Sequence, residues 1–221
     1  WSAQTTYNEA SITQDLEARS RTFVDTYKKE LAFAKIETYA LDGSSIRYQI
    51  PLETSGAGAL TYGYVHQGNQ PGWDCELVFV PEVMYVEASA SLTPPPAGAT
   101  TVLLNGLDVN VDGDTLDQYV VGKIRKRIYD VTDTLMEDAV VADRVILGYT
   151  LGSYAVDING DGQLDMLFTV LDSNENIVPA ASLSASGVKF RLNVWHGNLS
   201  DKRDRLMLRH VSDEWNLKND Q

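Results

Sequence analysis

Over the first 42 residues the apolar side chains fall at helical intervals. Ile12, Leu16, Phe23, Tyr27, Leu31 and Ala34 stack on one face at about 3.6 residues per turn. Neither Gly nor Pro interrupts the stretch from Trp1 to Asp42. The pattern predicts one amphipathic helix over about residues 3–39, roughly 55 Å long at 1.5 Å per residue. Residues 1–8 carry no charge, whereas Asp15, Glu17, Arg19, Arg21, Lys28, Lys29 and Glu30 crowd the later turns. That gradient, and a Trp as first residue with no cap before it, reads as the lower part of a longer helix whose missing half is apolar and membrane-spanning. The plainer reading is an ordinary long helix with a core stripe.

Past Gly43 the period changes to alternation. Ile46, Tyr48, Ile50 and Leu52 alternate with Arg47, Gln49 and Pro51, and segments at 59–66, 75–80, 122–129, 143–151, 164–171 and 187–195 read as strands. Val188, Phe190, Leu192 and Val194 give one apolar face, with 205–211 and 213–218 as expected partners. Short polar turns, among them a hairpin tip over 172–176, favour antiparallel pairing. The expected fold class is α+β: a long N-terminal helix packed on antiparallel β-sheet with acidic loop insertions. Residues 1–42 would form the helix and 43–221 a β-rich globular part with a candidate insertion at 91–120, in a single domain overall.

Charge then narrows the partners. A formal net charge of −13 and a pI near 4.5 argue against nucleic acid and anionic membrane surfaces, and make cation-holding loops more plausible. The single cysteine, Cys75, lies in an apolar strand and reads as a small packing residue.

Two acidic loops carry the sharpest local pattern. Asp157, Asn159, Asp161 and Asp165 place side-chain oxygens at positions 1, 3, 5 and 9, the Gln163 carbonyl adds another, and Gly162 allows the backbone to fold back. Phe168 stands where an EF-hand has its bidentate Glu, and the flanks are strand-like. A metal-free turn needs the glycines but not three mutually repelling aspartates, so Ca²⁺ is the favoured reading. A second loop, with Asp108, Asn110, Asp112, Asp114 and Asp117, repeats the first positions, but its last aspartate falls one residue late. A cation site and a solvated acidic loop both fit it.

Catalytic patterns are thin. The histidines are His66, His196 and His210, and no His-Glu-x-x-His, Cys-x-x-Cys, Gly-x-Ser-x-Gly or phosphate-binding Gly loop occurs. The expectation is a non-enzyme. Trp73, Trp195 and Trp215 read as core or cross-strand residues.

The helix reading Thr6-Tyr-Asn-Glu-Ala-Ser-Ile-Thr-Gln-Asp-Leu-Glu-Ala-Arg19, the strand Ser45-Ile-Arg-Tyr-Gln-Ile-Pro51 directly after it, the tail Val188-Lys-Phe-Arg-Leu-Asn-Val-Trp-His-Gly-Asn198 and the closing Leu217-Lys-Asn219 resemble the prepilin-type minor pilins and pseudopilins of the PilW/PulJ (GspJ-like) kind. The resemblance implies a structural subunit of a type IV pilus or type II secretion pseudopilus, at the periplasmic face of the inner membrane or in an extracellular filament. Its partners would be other pilins or pseudopilins, met through Tyr7 and Ile12, and the inner membrane, met through a preceding apolar segment. The alternative is an extracellular calcium-binding adhesion or ligand-binding module.

Overall fold

The computed structural model describes residues 2–32, 34–53, 60–62, 74–109, 113–130, 132–157, 164–178, 186–194 and 209–216. The chain opens with α1 (Ser2–Leu31) and continues with β1 (Lys35–Tyr39), β2 (Ser45–Gln49), β3 (Pro51–Glu53), β4 (Leu60–Tyr62), β5 (Asp74–Val86), β6 (Thr100–Leu103), β7 (Gln118–Tyr129), β8 (Leu135–Gly148), β9 (Phe168–Leu171), β10 (Gly187–Val194) and β11 (Arg209–Asn216). The main sheet runs β1-β2-β5-β7-β8-β10-β11, with β6 added to β5 and β9 to β10; β3 and β4 form a separate hairpin. Among the described residues every pairing is antiparallel except β5 with β6.

This corrects the expected fold class. Among the described residues the fold is mostly β, a curled antiparallel sheet with one helix, rather than an α+β, pilin-like long helix packed on a sheet. The helix stops at Leu31, short of the expected 39, although no Gly or Pro ends it. Lys35–Tyr39 carries the β-branched Ile36 and Thr38 and the aromatic Tyr39, which fit a pleated surface. Pairing with β2, in the register Ile36↔Tyr48 and Tyr39↔Ile46, outweighs helix propagation. No helix among the described residues is long and apolar enough to cross a membrane.

The periodic stripe of α1 enters the core through its later turns. Phe23, Val24, Tyr27 and Leu31 are buried with Ile46, Tyr48, Leu77 and Ile124, each large side chain contributing about 1.5–3 kcal/mol of hydrophobic stabilisation. Lys126 fixes the end of the helix by donating to both Glu30 carboxylate oxygens at 2.6 and 2.8 Å, and the Tyr48 hydroxyl donates to the same carboxylate. Val188, Leu192 and Val194 face this core as the alternation predicts, and β11 pairs with β10 as one strand where two segments were expected.

β5 shows how one strand serves two cores. Cys75, Leu77 and Phe79 are buried in odd register; after a bulge between Pro81 and Val83 the buried main-core positions become Met84 and Val86. Pro81, which lacks an N–H, is tolerated at this irregularity. Beyond it both faces are covered. A satellite core of Leu104, Val109, Tyr119, Val121 and Ile146, with Tyr85, Leu107 and Val156 packed against it, lies on the face opposite the main core. Glu87, the residue after β5, follows Tyr85 by two and so points to the satellite side.

Candidate metal centre

The satellite core is roofed by the loop joining β6 to β7. Its reversals rest on positive φ at Asn105, Gly106 and Gly113, the last at 98°, a region that glycine enters without steric cost. The Gly106 N–H donates to the Glu87 carbonyl at 2.5 Å, and the Glu87 N–H donates to the Asp117 carbonyl at 3.0 Å. These bonds bring the end of β5 and the start of β7 together.

Glu87, Asp114 and Asp117 converge there, each offering a carboxylate oxygen, all within 4.8 Å of one another. Glu87 is fully buried, Asp117 half-buried and Asp114 exposed, so the cluster reaches from the interior to solvent. Glu87 is held by neutral donors. The Val109 N–H donates to its Oε1 at 2.6 Å, the Asp117 N–H to its Oε2 at 3.3 Å, and the Tyr119 hydroxyl lies 3.2 Å from Oε1. The same hydroxyl lies 3.0 Å from Asp117 Oδ2, and its one hydrogen cannot serve both carboxylates fully.

Electrostatics follow from this geometry. Burial pushes the Glu87 carboxyl above its ordinary range, the nearby Asp117 charge adds to the rise, and the N–H groups of Val109 and Asp117 with the Tyr119 hydroxyl oppose it. Burial, with the Asp117 and Glu87 charges, pushes the Tyr119 phenol far up, so it stays protonated as a donor. A hard cation would replace mutual repulsion by attraction. Three carboxylates, one buried and one half-buried, could hold a metal ion, and oxygen-only donors are those of a hard cation rather than a thiophilic metal.

Of the second acidic loop, the structure thus brings together Asp114 and Asp117. Asp108 instead accepts the Gly113 N–H at 3.0 Å, bracing the turn, while Asn110 and Asp112 lie outside the described residues. Glu87 is the ligand that sequence reasoning missed. It sits 21 positions before Asp108, so no loop spacing points to it; the one signal is a charge directly after the apolar run Val83–Val86.

In the first loop, Asn159, Asp161 and Gln163 lie outside the described residues, and Asp157 and Asp165 mark its ends. Asp165 is fully buried and accepts from Arg191 Nη1 at 3.0 Å, a salt bridge whose arginine is itself 8% exposed. Tyr7 is described by its backbone alone, and Ile12 is half-buried at the margin of the main core. Cys75 is buried, its thiol pushed up to about 12 by burial, which suits packing rather than nucleophilic chemistry. Compared with family models, curated proteins and solved structures, the chain matches none of them.

Proposed function

We propose that this protein is an extracellular or periplasmic, non-catalytic binding module whose β6–β7 loop is held by Ca²⁺. The observation that carries this reading is Glu87, a fully buried carboxylate within ligand distance of two others and held by uncharged donors. Ca²⁺ is chosen over Mg²⁺ because a site that mixes a buried glutamate with an exposed aspartate on a loop has the irregular geometry that Ca²⁺ accepts and octahedral Mg²⁺ does not. Affinity on the order of 10⁻⁴ to 10⁻³ M suits compartments where calcium is abundant. The 157–165 loop is proposed as a second calcium loop through Asp157, Asn159, Asp161 and the Gln163 carbonyl, with Asp165 shared with Arg191.

Binding to the folded state alone stabilises by mass action, so 10 mM Ca²⁺ should add about 1.4–2.7 kcal/mol for each occupied site over EDTA for such affinities. Asp117→Ala is expected to remove the share of that gain due to the Glu87 site and Asp161→Ala the share due to the other loop. A parent melting temperature identical in EDTA and in calcium rejects the proposal.

A second reading keeps the protein as a structural subunit, a minor pilin or pseudopilin that meets sibling subunits through α1. It is favoured by the apolar stripe of the helix, which is half-buried at Ile12 and buried at Phe23, Val24, Tyr27 and Leu31. Because Cys75 is buried, Gln14→Cys supplies a single reactive thiol. Cross-linking in the cells that make the protein should join Gln14→Cys to pilin-type subunits, and recovery of monomer alone would end this reading.

A further inference from the structure

β6 pairs with β5 on one side, and no other described strand pairs with it. The Leu104 N–H donates to the Val86 carbonyl at 2.7 Å. By the alternation of a parallel strand, the backbone groups of Val102 and Leu104 therefore face β5, and those of Thr101 and Leu103 face away. Thr101 and Leu103 also line a groove of about 580 Å³ with Leu92, Pro94 and Pro95. Leu92 and Leu103 are exposed at 53% and 40%, so the groove floor is apolar and open. Its far wall is fixed: the Thr93 N–H and hydroxyl both donate to Gln118 Oε1, at 3.3 and 2.8 Å, and the Ser91 hydroxyl donates to the Thr93 carbonyl.

Charge selects the occupant. From Arg47 to Lys123 the sequence has no Lys or Arg between them, while Glu87, Asp114 and Asp117 gather beside the end of β6. A second copy of this chain, at −13, would be repelled. We infer that the β6 groove binds an extended, cationic polypeptide segment as an added strand, its backbone pairing with Thr101 and Leu103, its apolar side chains against Leu92 and the prolines, and its Lys or Arg toward the acidic loop. The groove wall is already ordered, which lowers the entropic cost of binding.

This deepens the binding-module reading by naming the ligand class, and it is tested in EDTA so that it stands or falls apart from the metal. The probe is a labelled eight-residue peptide of alternating lysine and valine, with the glutamate–valine peptide as control, titrated against the full chain. The lysine peptide should bind at least about tenfold tighter, weaken as salt is raised, and shift the amide resonances of Thr101 and Leu103. Thr101→Pro removes an N–H directed away from the sheet, and Leu103→Lys places a positive charge in the groove; each should weaken binding about tenfold or more. Equal affinity for the two peptides, or unchanged binding in both folded variants, overturns the inference. Peptide binding with no calcium-dependent stability would defeat only the metal reading, and the reverse only this one.

Discussion

Asp165→Ala separates two roles for one carboxylate, the proposed one as a calcium ligand and the observed one as the counter-charge of Arg191. The Asp165 side chain is 0% exposed and that of Arg191 8%, so neither ion regains bulk hydration while the chain is folded. Removing the aspartate leaves a guanidinium buried without that charge, a perturbation that costs about 3–5 kcal/mol. Against a typical total stability of about 5–15 kcal/mol this is a large fraction. Urea unfolding in EDTA should therefore move to a markedly lower midpoint, with the slope preserved. The double variant Asp165→Leu with Arg191→Met, which replaces both ions with apolar groups, should recover most of the loss. If Asp165→Ala costs less than about 1 kcal/mol in EDTA and acts only when calcium is present, the salt bridge is not what holds Asp165, and the reasoning from burial fails.

Three further outcomes follow from the same geometry. Gly122→Ala would place a Cβ 2.2 Å from the Val80 carbonyl oxygen and 2.9 Å from the Phe79 ring, so a loss of about 3 kcal/mol or more is expected in chemical denaturation, and a near-neutral result would mean that β5 and β7 are spaced differently. Gly43→Ala combines φ of +71° with a Cβ 2.6 Å from that of Met166, and should lower the melting temperature more than alanine at Gly152, which has positive φ but open space around it. The Asp172 carboxyl is held below its ordinary range by the N–H groups of Asn176 and Asn174 and the Asn176 side chain; a depressed folded value means that its contribution is present above the unfolded value and lost as pH falls through the folded one. The stability gap between the parent and Asp172→Ala should therefore close as pH drops below about 3.8, and a pH-independent gap would refute this account.

How far the fold could be read in advance depended on whether the controlling interaction was local. The strands at 75–80, 122–129 and 187–195 carry their own alternation, and the hairpin tip at 172–176 carries its own Asx turn, with Asp172 accepting from the Asn174 and Asn176 N–H groups at 2.8 and 2.9 Å. The end of α1 was not legible, because β1 is extended through pairing with β2 and not through any breaker in 32–39. The outer half of β8 was missed for a similar reason: Leu135, Met136 and Val140 are exposed, so the segment has no buried face to impose a period, and β7 supplies its register. At the candidate metal centre, Asp114 and Asp117 belonged to a recognisable acidic loop, but Glu87 reaches it only through the pairing of β5 with β7. Arg191 was hidden within a strand where Val188 and Leu192 draw attention to the opposite face.

The irregularity in β5 at Pro81–Val83 works like a change of reading frame written into space. Upstream of it, odd-numbered residues speak to the helix-bearing side of the sheet; downstream, even-numbered ones do, and the odd ones, Tyr85 and Glu87, are released to the other side. Were the strand to run on regularly through this point, the same sequence would turn Met84 and Val86 outward and drive the Glu87 carboxylate into hydrocarbon. One residue of slack thus lets a single strand serve two cores, each side keeping a grammar of its own.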